Sequence, residues 1–347
     1  RQILRPGCGA EVLAVCDSRQ IVMPGGDAHE AVLDDAAVRG IVEAKEERRA
    51  LGDAGLGGTV VLPLEEGLSS LLQQAPPSCT VLADCTATDG VNDFIASALE
   101  HGYGVALANK KPVTSGQAFY DLLRSHPSRF RWESTCGAGT PFISSLHRLT
   151  EAGDTVAKIA GAFSGTLGFV MSGLEAGQPF SAVVREAKDA GFTEPDPRDD
   201  LNGMDVARKA LILARMLGWN LELGDVEVES LFPAEMGPES MDLDAFMGAG
   251  LEQLDAKFAA LVEEAKANGC ALRYAATVEG GKCKVGPVQA PKSSALGSLQ
   301  GTDNILEVHS EIYSASPLVI QGAGAGVECT AMGVLADILD IHACSTW

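Results

Sequence analysis

Between residues 80 and 130, short apolar runs alternate with amphipathic helical patterns, and this alternation constrains the fold more than any other feature of the sequence. The run TVLADCTA and residues 104–108 have the pattern of strands, whereas residues 91–101 and 117–125 have the pattern of helices. Strands that alternate with helices form parallel sheets, with ligand-binding groups at the carboxyl ends of the strands. The chain is therefore predicted to be an α/β protein with a ligand site along that edge.

Two polar residues follow the two predicted strands. Thr86 comes directly after the first, and Lys110 follows the second in the sequence ANKKP, with Asn109 beside it. Both would lie at the ligand edge of a parallel sheet. The alternatives are a helix cap for Thr86 and a solvent-exposed turn for Lys110, and the spacing alone does not separate them.

A second constraint is the acidic segment 191–209, GFTEPDPRDDLNGMDVARK. Its two prolines stiffen the chain and disfavour helix for the residues before them. A helix is predicted to begin near Asn202, a good capping residue. In that helix Asp205 and Lys209 are four residues apart and therefore share one face. The carboxylates of the segment are Glu194, Asp196, Asp199, Asp200 and Asp205.

The predicted helix is apolar around most of its circumference, which favours a buried position. A carboxylate and a lysine on a buried helix must be paired with each other or used in function. A lysine that is shielded from water also has a lowered pKa and can exchange protons near neutral pH. The alternative is a solvated acidic loop with a weak ion pair on the helix surface.

Length and composition limit the class of protein. The chain has 347 residues, of which 46% are apolar, so two domains with full cores are possible. A net charge of −21 disfavours nucleic acid and anionic membranes as partners. No apolar run reaches the roughly 18 residues of a membrane-spanning helix. The nine cysteines form no CxxC pair and the six histidines are scattered, which favours reduced thiols in a reducing compartment over disulfides or a metal cluster.

The acidic segment closely resembles the signature of homoserine dehydrogenases, and the resemblance extends from about Val12 to Ile341. Its other pieces are DCT, ANKKP, WESTCGAGTP, SGTLG and PLVIQGAGAG. The resemblance implies a Rossmann-like parallel-sheet domain, residues 1–131 and 325–347, and an α+β substrate and dimerisation domain, residues 132–324. The first strand and its GxGxxG loop are expected before Glu11 and are not recognisable there, so an N-terminal truncation is expected.

The resemblance also implies an activity, the reversible NAD(P)-dependent interconversion of L-homoserine and L-aspartate 4-semialdehyde in threonine, methionine and isoleucine biosynthesis. The chain is similar to a monofunctional, plant or algal form, because no aspartokinase or regulatory repeat is recognisable. A homodimer, formed through strands near residues 273–321, is expected in the cytoplasm or the chloroplast stroma. Asp17 at a strand end would favour NAD, whereas Arg19 could meet the 2′-phosphate of NADP, and NADP is expected.

The matching motifs imply roles for individual residues. Lys209 would exchange the proton, Asp200 would orient Lys209 or an intervening water, and Lys110 would act as a second cationic group. Glu194 and Asp205 would bind the substrate, and the SGTLG turn would hold its carboxylate at a helix N-terminus. The residues expected to hold the cofactor are Thr86, Lys110, Gly191, Glu194 and Gly326.

Residues 132–141, WESTCGAGTP, imply a monovalent cation site, with sodium as the expected ion. The family more often has Val where Cys136 stands, but a backbone carbonyl ligand does not depend on the side chain. The alternative is a glycine-rich hinge between domains. The implied cation ligands are Glu133, Cys136, Ala138 and Thr140.

Two other functions remain open. An aspartate-semialdehyde dehydrogenase would need a nucleophilic cysteine, for which Cys85 and Cys136 are candidates by position only. A catalytically impaired binding or regulatory protein would result if the natural chain lacked the phosphate-binding loop.

Overall fold

The structure is a computed structural model and describes residues 9–25 and 32–345. The strands in that part of the chain are β1 (Val15–Cys16), β2 (Gln20–Pro24), β3 (Thr59–Pro63), β4 (Val81–Asp84), β5 (Gly104–Leu107), β6 (Phe130–Arg131), β7 (Val156–Ala162), β8 (Val226–Val228), β9 (Cys270–Glu279), β10 (Lys282–Pro291), β11 (Asp303–Ser310) and β12 (Leu318–Ala323). The helices there are α1 (Asp35–Glu46), α2 (Leu64–Gln74), α3 (Asn92–Glu100), α4 (Lys110–Thr114), α5 (Gln117–Arg124), α6 (Phe142–Glu151), α7 (Gly165–Glu175), α8 (Phe180–Asp189), α9 (Arg198–Leu201), α10 (Met204–Met216), α11 (Leu243–Ala245), α12 (Leu251–Ala267), α13 (Ala295–Ser298) and α14 (Val327–Ser345).

A parallel sheet of β4, β5 and β6 confirms the prediction made from the strand–helix alternation. Strand β5 is buried along its whole length, as expected for a parallel strand covered on both faces. Helix α14 returns from the end of the chain to contact all three strands, with Val334 and Ile341 packed near Ala106. The last helix therefore packs against this sheet, in the domain to which the sequence assigned it.

A second sheet is antiparallel and was not predicted. Its strand order is β1–β2–β3. The apolar run before Asp17 continues as a strand only over Val15–Cys16, because the Asp17 carboxylate accepts hydrogen bonds from the N–H groups of Arg19 and Gln20 and turns the chain back. Residues 36–51 and 64–74 have the pattern of helices, and the structure has α1 and α2 there, with α1 ending earlier, at Glu46. The expected loss of the first strand concerns the chain before Glu11, where residues 1–8 lie outside the described part.

The third sheet has six strands in the order β12–β11–β7–β9–β10–β8. All neighbouring pairs are antiparallel except β10 with β8. Residues 273–287 have the pattern of a hairpin around Gly280 and Gly281, and the β9–β10 hairpin turns at these two glycines, both with positive φ. The apolar run LVIQ predicts a buried strand, which is wrong: β12 lies at the sheet edge, and its Val319 is 39% exposed.

Helix α10 is the most deeply buried element near the predicted site. It contacts β9 and β10 of the six-stranded sheet and also α4 and α6. Leu211, Ile212 and Leu213 are fully buried, and each such side chain stabilises the fold by about 1.5–3 kcal/mol. The helix begins at Met204 rather than at Asn202, because Gly203, with φ 77°, separates it from α9. Within the described residues, no helix is both long and apolar enough to span a membrane.

Candidate functional site

The carboxyl ends of β4 and β5 bring Thr86, Asn109 and Lys110 together, as predicted for a parallel sheet. The buried Asn109 amide nitrogen lies within hydrogen-bond distance of Asp84 Oδ2 (2.9 Å), Thr86 Oγ1 (3.2 Å) and the Thr88 carbonyl (2.7 Å). Its side-chain oxygen accepts from the Lys111 N–H and caps α4. Lys110 is thus the first residue of a helix rather than part of a turn, and Asn109 organises this edge more than the sequence indicated.

Asp205 lies between two lysines at this edge. Its Oδ2 is 2.7 Å from Lys209 Nζ, and its Oδ1 is 3.3 Å from Lys110 Nζ. The Lys209 ammonium also donates to the Phe163 carbonyl at 2.5 Å, and Lys209 is only 8% exposed. The Asp205–Lys209 pair is therefore buried on the lysine side and is not the solvated surface pair that the sequence left open.

The charges of this pair are set by competition between burial and attraction. Burial alone would lower the pKa of Lys209, but the adjacent Asp205 carboxylate outweighs it and raises that pKa above its usual value. Burial alone would raise the pKa of Asp205, but Lys209 and Lys110 outweigh it and lower that pKa. The pair is therefore ionised. This differs from the expectation that burial would favour a neutral Lys209.

Asp200 shapes the acidic loop instead of contacting Lys209 directly. Its Oδ2 accepts from the Glu194 N–H at 2.8 Å, and its Oδ1 lies 3.2 Å from Thr166 Oγ1. Thr166 belongs to the SGTLG turn, where Ser164 caps α7, and its hydroxyl also lies 2.5 Å from the Phe192 carbonyl. Asp200 thus joins the acidic loop to the start of α7 and fixes the position of Glu194.

A second ion pair of the acidic segment is structural. The Arg198 guanidinium is buried, lies 2.6 Å from Asp196 and donates to the carbonyls of Met236 and Met241. Removing one partner of a buried pair leaves an uncompensated charge, so this contact ties the loop to the following segment. Asp196 is therefore used in folding, whereas Glu194, exposed on the same loop, is free to face a ligand.

The two glycines expected near the cofactor have different surroundings. Gly191 and Gly326 have φ of 75° and 108°, and a Cβ at either would meet open space. In contrast, a Cβ at Gly324 would overlap the buried side chain of Asn304. The glycine run before α14 therefore combines a packing requirement at Gly324 with an open backbone at Gly326.

In loop 133–140, the side chain of Glu133 has a different role from the cation ligand that was expected. The Glu133 carboxylate is buried and accepts from the N–H groups of Ile143 (2.8 Å) and Ser144 (2.9 Å) in the first turn of α6. The side chain therefore caps a helix, and the Glu133 backbone carbonyl accepts from the Cys136 N–H at 3.3 Å. Ala138 has a φ of 52° and follows Gly137 at 80°, which turns this short loop sharply.

Backbone oxygens are consistent with the proposed ion. Across residues 9–25 and 32–345, no cluster of three or more His, Cys, Asp or Glu could hold a metal. Hard cations prefer oxygen ligands, and carbonyls at Glu133, Cys136, Ala138 and Thr140 offer that chemistry without a charged side chain. In the described residues the loop thus offers backbone oxygens rather than a cluster of metal-binding side chains.

Neither cysteine candidate fits a nucleophile. Cys136 is fully buried, and burial raises its pKa to about 12. Cys85 reaches solvent, and partial shielding from water together with the neighbouring Asp84 carboxylate raises the pKa of its thiol. Because the thiolate is the reactive form, these environments disfavour the cysteine mechanism of the semialdehyde-dehydrogenase alternative.

Two contacts of this region were missed by the sequence analysis. The Phe163 carbonyl binds Lys209, and no side-chain pattern signals a carbonyl ligand. Asp337, on α14, accepts from the Glu133 N–H at 2.8 Å. Its signal was an acidic residue in the otherwise apolar run MGVLADILDI.

Comparison with known proteins repeatedly finds homoserine dehydrogenases. The homoserine dehydrogenase family model matches residues 141–339. A homoserine dehydrogenase of Emericella nidulans is 38% identical over 314 residues, which are 86% of this chain and 85% of that protein. One from Paracoccidioides brasiliensis is 41% identical over 79% of this chain and 77% of its own length. A bifunctional aspartokinase/homoserine dehydrogenase of Haemophilus influenzae is 43% identical over 75% of this chain, which spans 32% of that longer protein.

Solved structures share the fold. A Candida auris protein of unknown function is 34% identical and superposes with a TM-score of 0.81 over 95% of this chain and 90% of its own. A hyperthermophilic archaeal homoserine dehydrogenase, solved with NADPH, has a TM-score of 0.69 at 22% identity over 94% of this chain and 86% of its own. With a family model over more than half of its length and full-length relatives near 40% identity, the chain belongs to the homoserine dehydrogenase family of NAD(P)-dependent oxidoreductases that act on a CH–OH group.

Proposed function

We propose that this chain interconverts L-homoserine and L-aspartate 4-semialdehyde with NADP(H), on the route to threonine, methionine and isoleucine. The observation that carries the proposal is the Lys110–Asp205–Lys209 cluster at the carboxyl edge of the parallel sheet. Such an edge is where open α/β sheets bind ligands. A buried lysine beside it can exchange a proton with a substrate oxygen.

The residues around this edge fit a dinucleotide. Thr86 and Lys110 lie at strand ends, and Gly326 precedes the long helix α14, whose N-terminus favours a phosphate. Gly191 and Glu194 would contact the cofactor from the opposite side of the cleft. When bound, the nicotinamide ring would supply or accept the hydride at C4 of the substrate.

Lys209 would handle the proton. In the direction of semialdehyde reduction, its ammonium would donate a proton to the aldehyde oxygen while C4 receives the hydride, which gives the CH2OH group of homoserine. In the direction of oxidation, the neutral amine would take the hydroxyl proton back. Asp205 and the Phe163 carbonyl hold Nζ in place for both directions.

The acidic loop would bind the amino-acid end of the substrate. Glu194 offers a carboxylate to the substrate ammonium, and Asp200 fixes the backbone of Glu194. The capped N-terminus of α7, at Ser164, would attract the substrate carboxylate. Opposite charges at the two ends would then orient C4 toward Lys209.

The direct test follows NADPH absorbance with L-homoserine and NADP+, with and without sodium, across a range of pH. We expect turnover with L-homoserine and none with L-2-aminobutyrate, which lacks the hydroxyl group. Failure of the full natural protein to oxidise L-homoserine under all these conditions would favour the impaired, regulatory alternative.

The pH dependence should report Lys209. Because reduction needs its ammonium and Asp205 raises its pKa, reductive kcat is expected to stay constant and then fall as the pH rises through that pKa, while oxidative kcat rises. Asp205→Asn removes the largest charge that opposes the effect of burial and should shift both limbs of the pH profile to lower pH in whatever activity remains. Limbs that stay in place in this variant would argue against Lys209 as the titrating group.

The surroundings of Asp17 favour NADP over NAD. Its carboxylate accepts from the Arg19 and Gln20 N–H groups and lies 2.5 Å from Lys45 Nζ, so it is already engaged. Lys45 lowers the pKa of Asp17 despite partial burial. The side chains of Arg19 and Lys45 would then favour the 2′-phosphate of NADP, and the archaeal neighbour was solved with NADPH.

Replacing Arg19 should weaken NADPH binding selectively. We expect Arg19→Ala to raise the KM for NADPH roughly tenfold, the scale of one charge-assisted hydrogen bond, and to change the KM for NADH less than about twofold. Arg39→Ala is the control, because Arg39 lies on α1 with an exposed side chain. Equal effects on both cofactors would remove the argument from Arg19.

We also propose a sodium ion held by carbonyls of loop 133–140 and a homodimer formed through the six-stranded sheet. The dimer is supported by the open edge strand β12 and by exposed apolar residues near it, Val319 at 39% and Ile312 at 76% exposure. An open edge strand presents unpaired N–H and C=O groups, with which a second chain can pair.

A further inference from the structure

Loop 133–140 and the last helix, α14, are joined by several specific contacts. The Glu133 N–H donates to Asp337 Oδ2 at 2.8 Å, and the Ser134 hydroxyl donates to the Thr330 carbonyl at 3.1 Å. The Gly139 N–H lies 3.3 Å from Cys329 Sγ. These contacts follow α14 over more than two turns, so the loop is aligned along the helix rather than touching it at one point.

Glycines make this close approach possible. A Cβ at Gly333 would overlap the Ser134 hydroxyl and come within 3.0 Å of Gly139 Cα. A Cβ at Gly139 would overlap the Cys329 carbonyl. The loop and the helix therefore meet backbone to backbone, and their relative position tolerates little change.

Burying the carboxylate of Asp337 in such a contact is energetically unfavourable. It is 4% exposed, and the carboxylate of Glu133, itself 8% exposed, lies on the adjacent loop. Two buried acids close together repel each other, and burying a charge is unfavourable without full pairing. An apolar residue of similar size would often be neutral or stabilising at such a position. Stability alone therefore does not explain Asp337.

The geometry points to Asp337 as a positioning residue, which holds the Glu133 backbone and thereby keeps loop 133–140 in register with α14. This inference rests on the proposed function. At its start, α14 carries the Gly326 turn that would meet the cofactor. On the loop side, Glu133 caps α6, whose Phe142 packs against Phe163, and the Phe163 carbonyl binds Lys209. The Asp337–Glu133 hydrogen bond thus connects the cofactor side of the cleft to the proton-transfer side.

The link predicts a particular kinetic split. Loss of the bond should weaken NADPH binding and lower kcat, because the two sides of the cleft lose their register. The KM for L-homoserine should change little, because Glu194 and Asp200 are held by Thr166 and α7 and do not depend on α14. A purely structural defect would instead reduce the amount of active protein without changing the NADPH Kd or the kcat of the molecules that remain active.

The experiment measures amide hydrogen exchange, NADPH binding by fluorescence and steady-state kinetics on the whole chain. For Asp337→Ala we expect exchange across residues 133–140 to become at least about fivefold faster, the NADPH Kd to rise about fivefold or more, and the KM for L-homoserine to stay within about twofold. Asp337→Asn keeps an acceptor oxygen and should behave like the original protein. Asp340→Ala, on an exposed position of the same helix, is the matched control.

Several outcomes would overturn the inference. Unchanged exchange in loop 133–140 for Asp337→Ala would do so whatever the activity, as would faster exchange with unchanged NADPH Kd and kcat. If Asp337→Ala does not fold, Ser134→Ala removes a second hydrogen bond of the same contact and should show the same kinetic split in milder form. A Ser134→Ala variant without this split would also exclude the link. Failure of the original chain to oxidise L-homoserine would reject the proposed function alone, because exchange and NADPH binding are measured without turnover.

Discussion

Replacing Lys209 with methionine is expected to lower kcat by roughly two orders of magnitude or more, the usual scale of general acid–base catalysis. Methionine keeps the length and packing of the side chain in its buried position but cannot carry a proton. Asp205 retains Lys110 as a partner, so no carboxylate is left unpaired. The measurement is kcat in both directions, with circular dichroism to confirm the fold.

Two further variants make this test specific. Lys209→Arg keeps the positive charge but does not release its proton in the accessible pH range, so it should be nearly as inactive in oxidation as methionine. Lys111→Met removes a lysine outside the cluster and should leave kcat within about twofold of the original. Near-normal turnover in Lys209→Met would exclude Lys209 as the proton-exchanging group.

The second large effect is expected for Gly203→Ala, which should lower the free energy of unfolding by about 2–4 kcal/mol. Gly203 has a φ of 77°, where an alanine is strained, and a Cβ there would overlap the Tyr274 hydroxyl. Tyr274 is buried and donates to the Glu229 carbonyl, so it cannot move away freely. Chemical denaturation of the original and variant proteins measures the loss.

A matched glycine separates the two causes. Gly218, at the other end of α10, has a φ of 80°, and a Cβ there would meet nothing within 4 Å. Gly218→Ala should therefore show only the backbone strain, about 1–2 kcal/mol. Adding Tyr274→Phe to Gly203→Ala should recover part of the larger loss, so that the double variant costs less than the sum of the single ones. Equal losses at both glycines would contradict the overlap.

The local parts of the site were predictable from the sequence. The four-residue spacing of Asp205 and Lys209 placed both on one face of α10, and the structure joins them at 2.7 Å. The strand–helix alternation placed Thr86 and Lys110 at the same sheet edge. Both inferences rest on helix and strand periodicities, which span only a few residues and do not depend on residues that are distant in the sequence.

Other features were misjudged because they depend on distant partners. Strand β1 was expected to continue to Asp17, but Asp17 turns the chain into a hairpin and contacts Lys45, 28 residues away. Strand β12 was interpreted as buried, although it lies at a sheet edge. A run of apolar residues has the same pattern in a central strand as in an edge strand, because burial depends on which other elements cover the strand.

The sequence by itself determined the family, the α/β class, the buried helix α10 and the candidate residues for the chemistry. Only the tertiary structure decided that Glu133 caps α6, that Asp337 reaches its backbone across 204 residues, and that Asp205 lies close enough to raise the pKa of Lys209 against the effect of burial. The physical reason is the separation along the chain of the residues that interact. Helix and strand periodicity act between neighbours along the chain, whereas a pKa or a buried hydrogen bond depends on groups that meet only after the chain has folded.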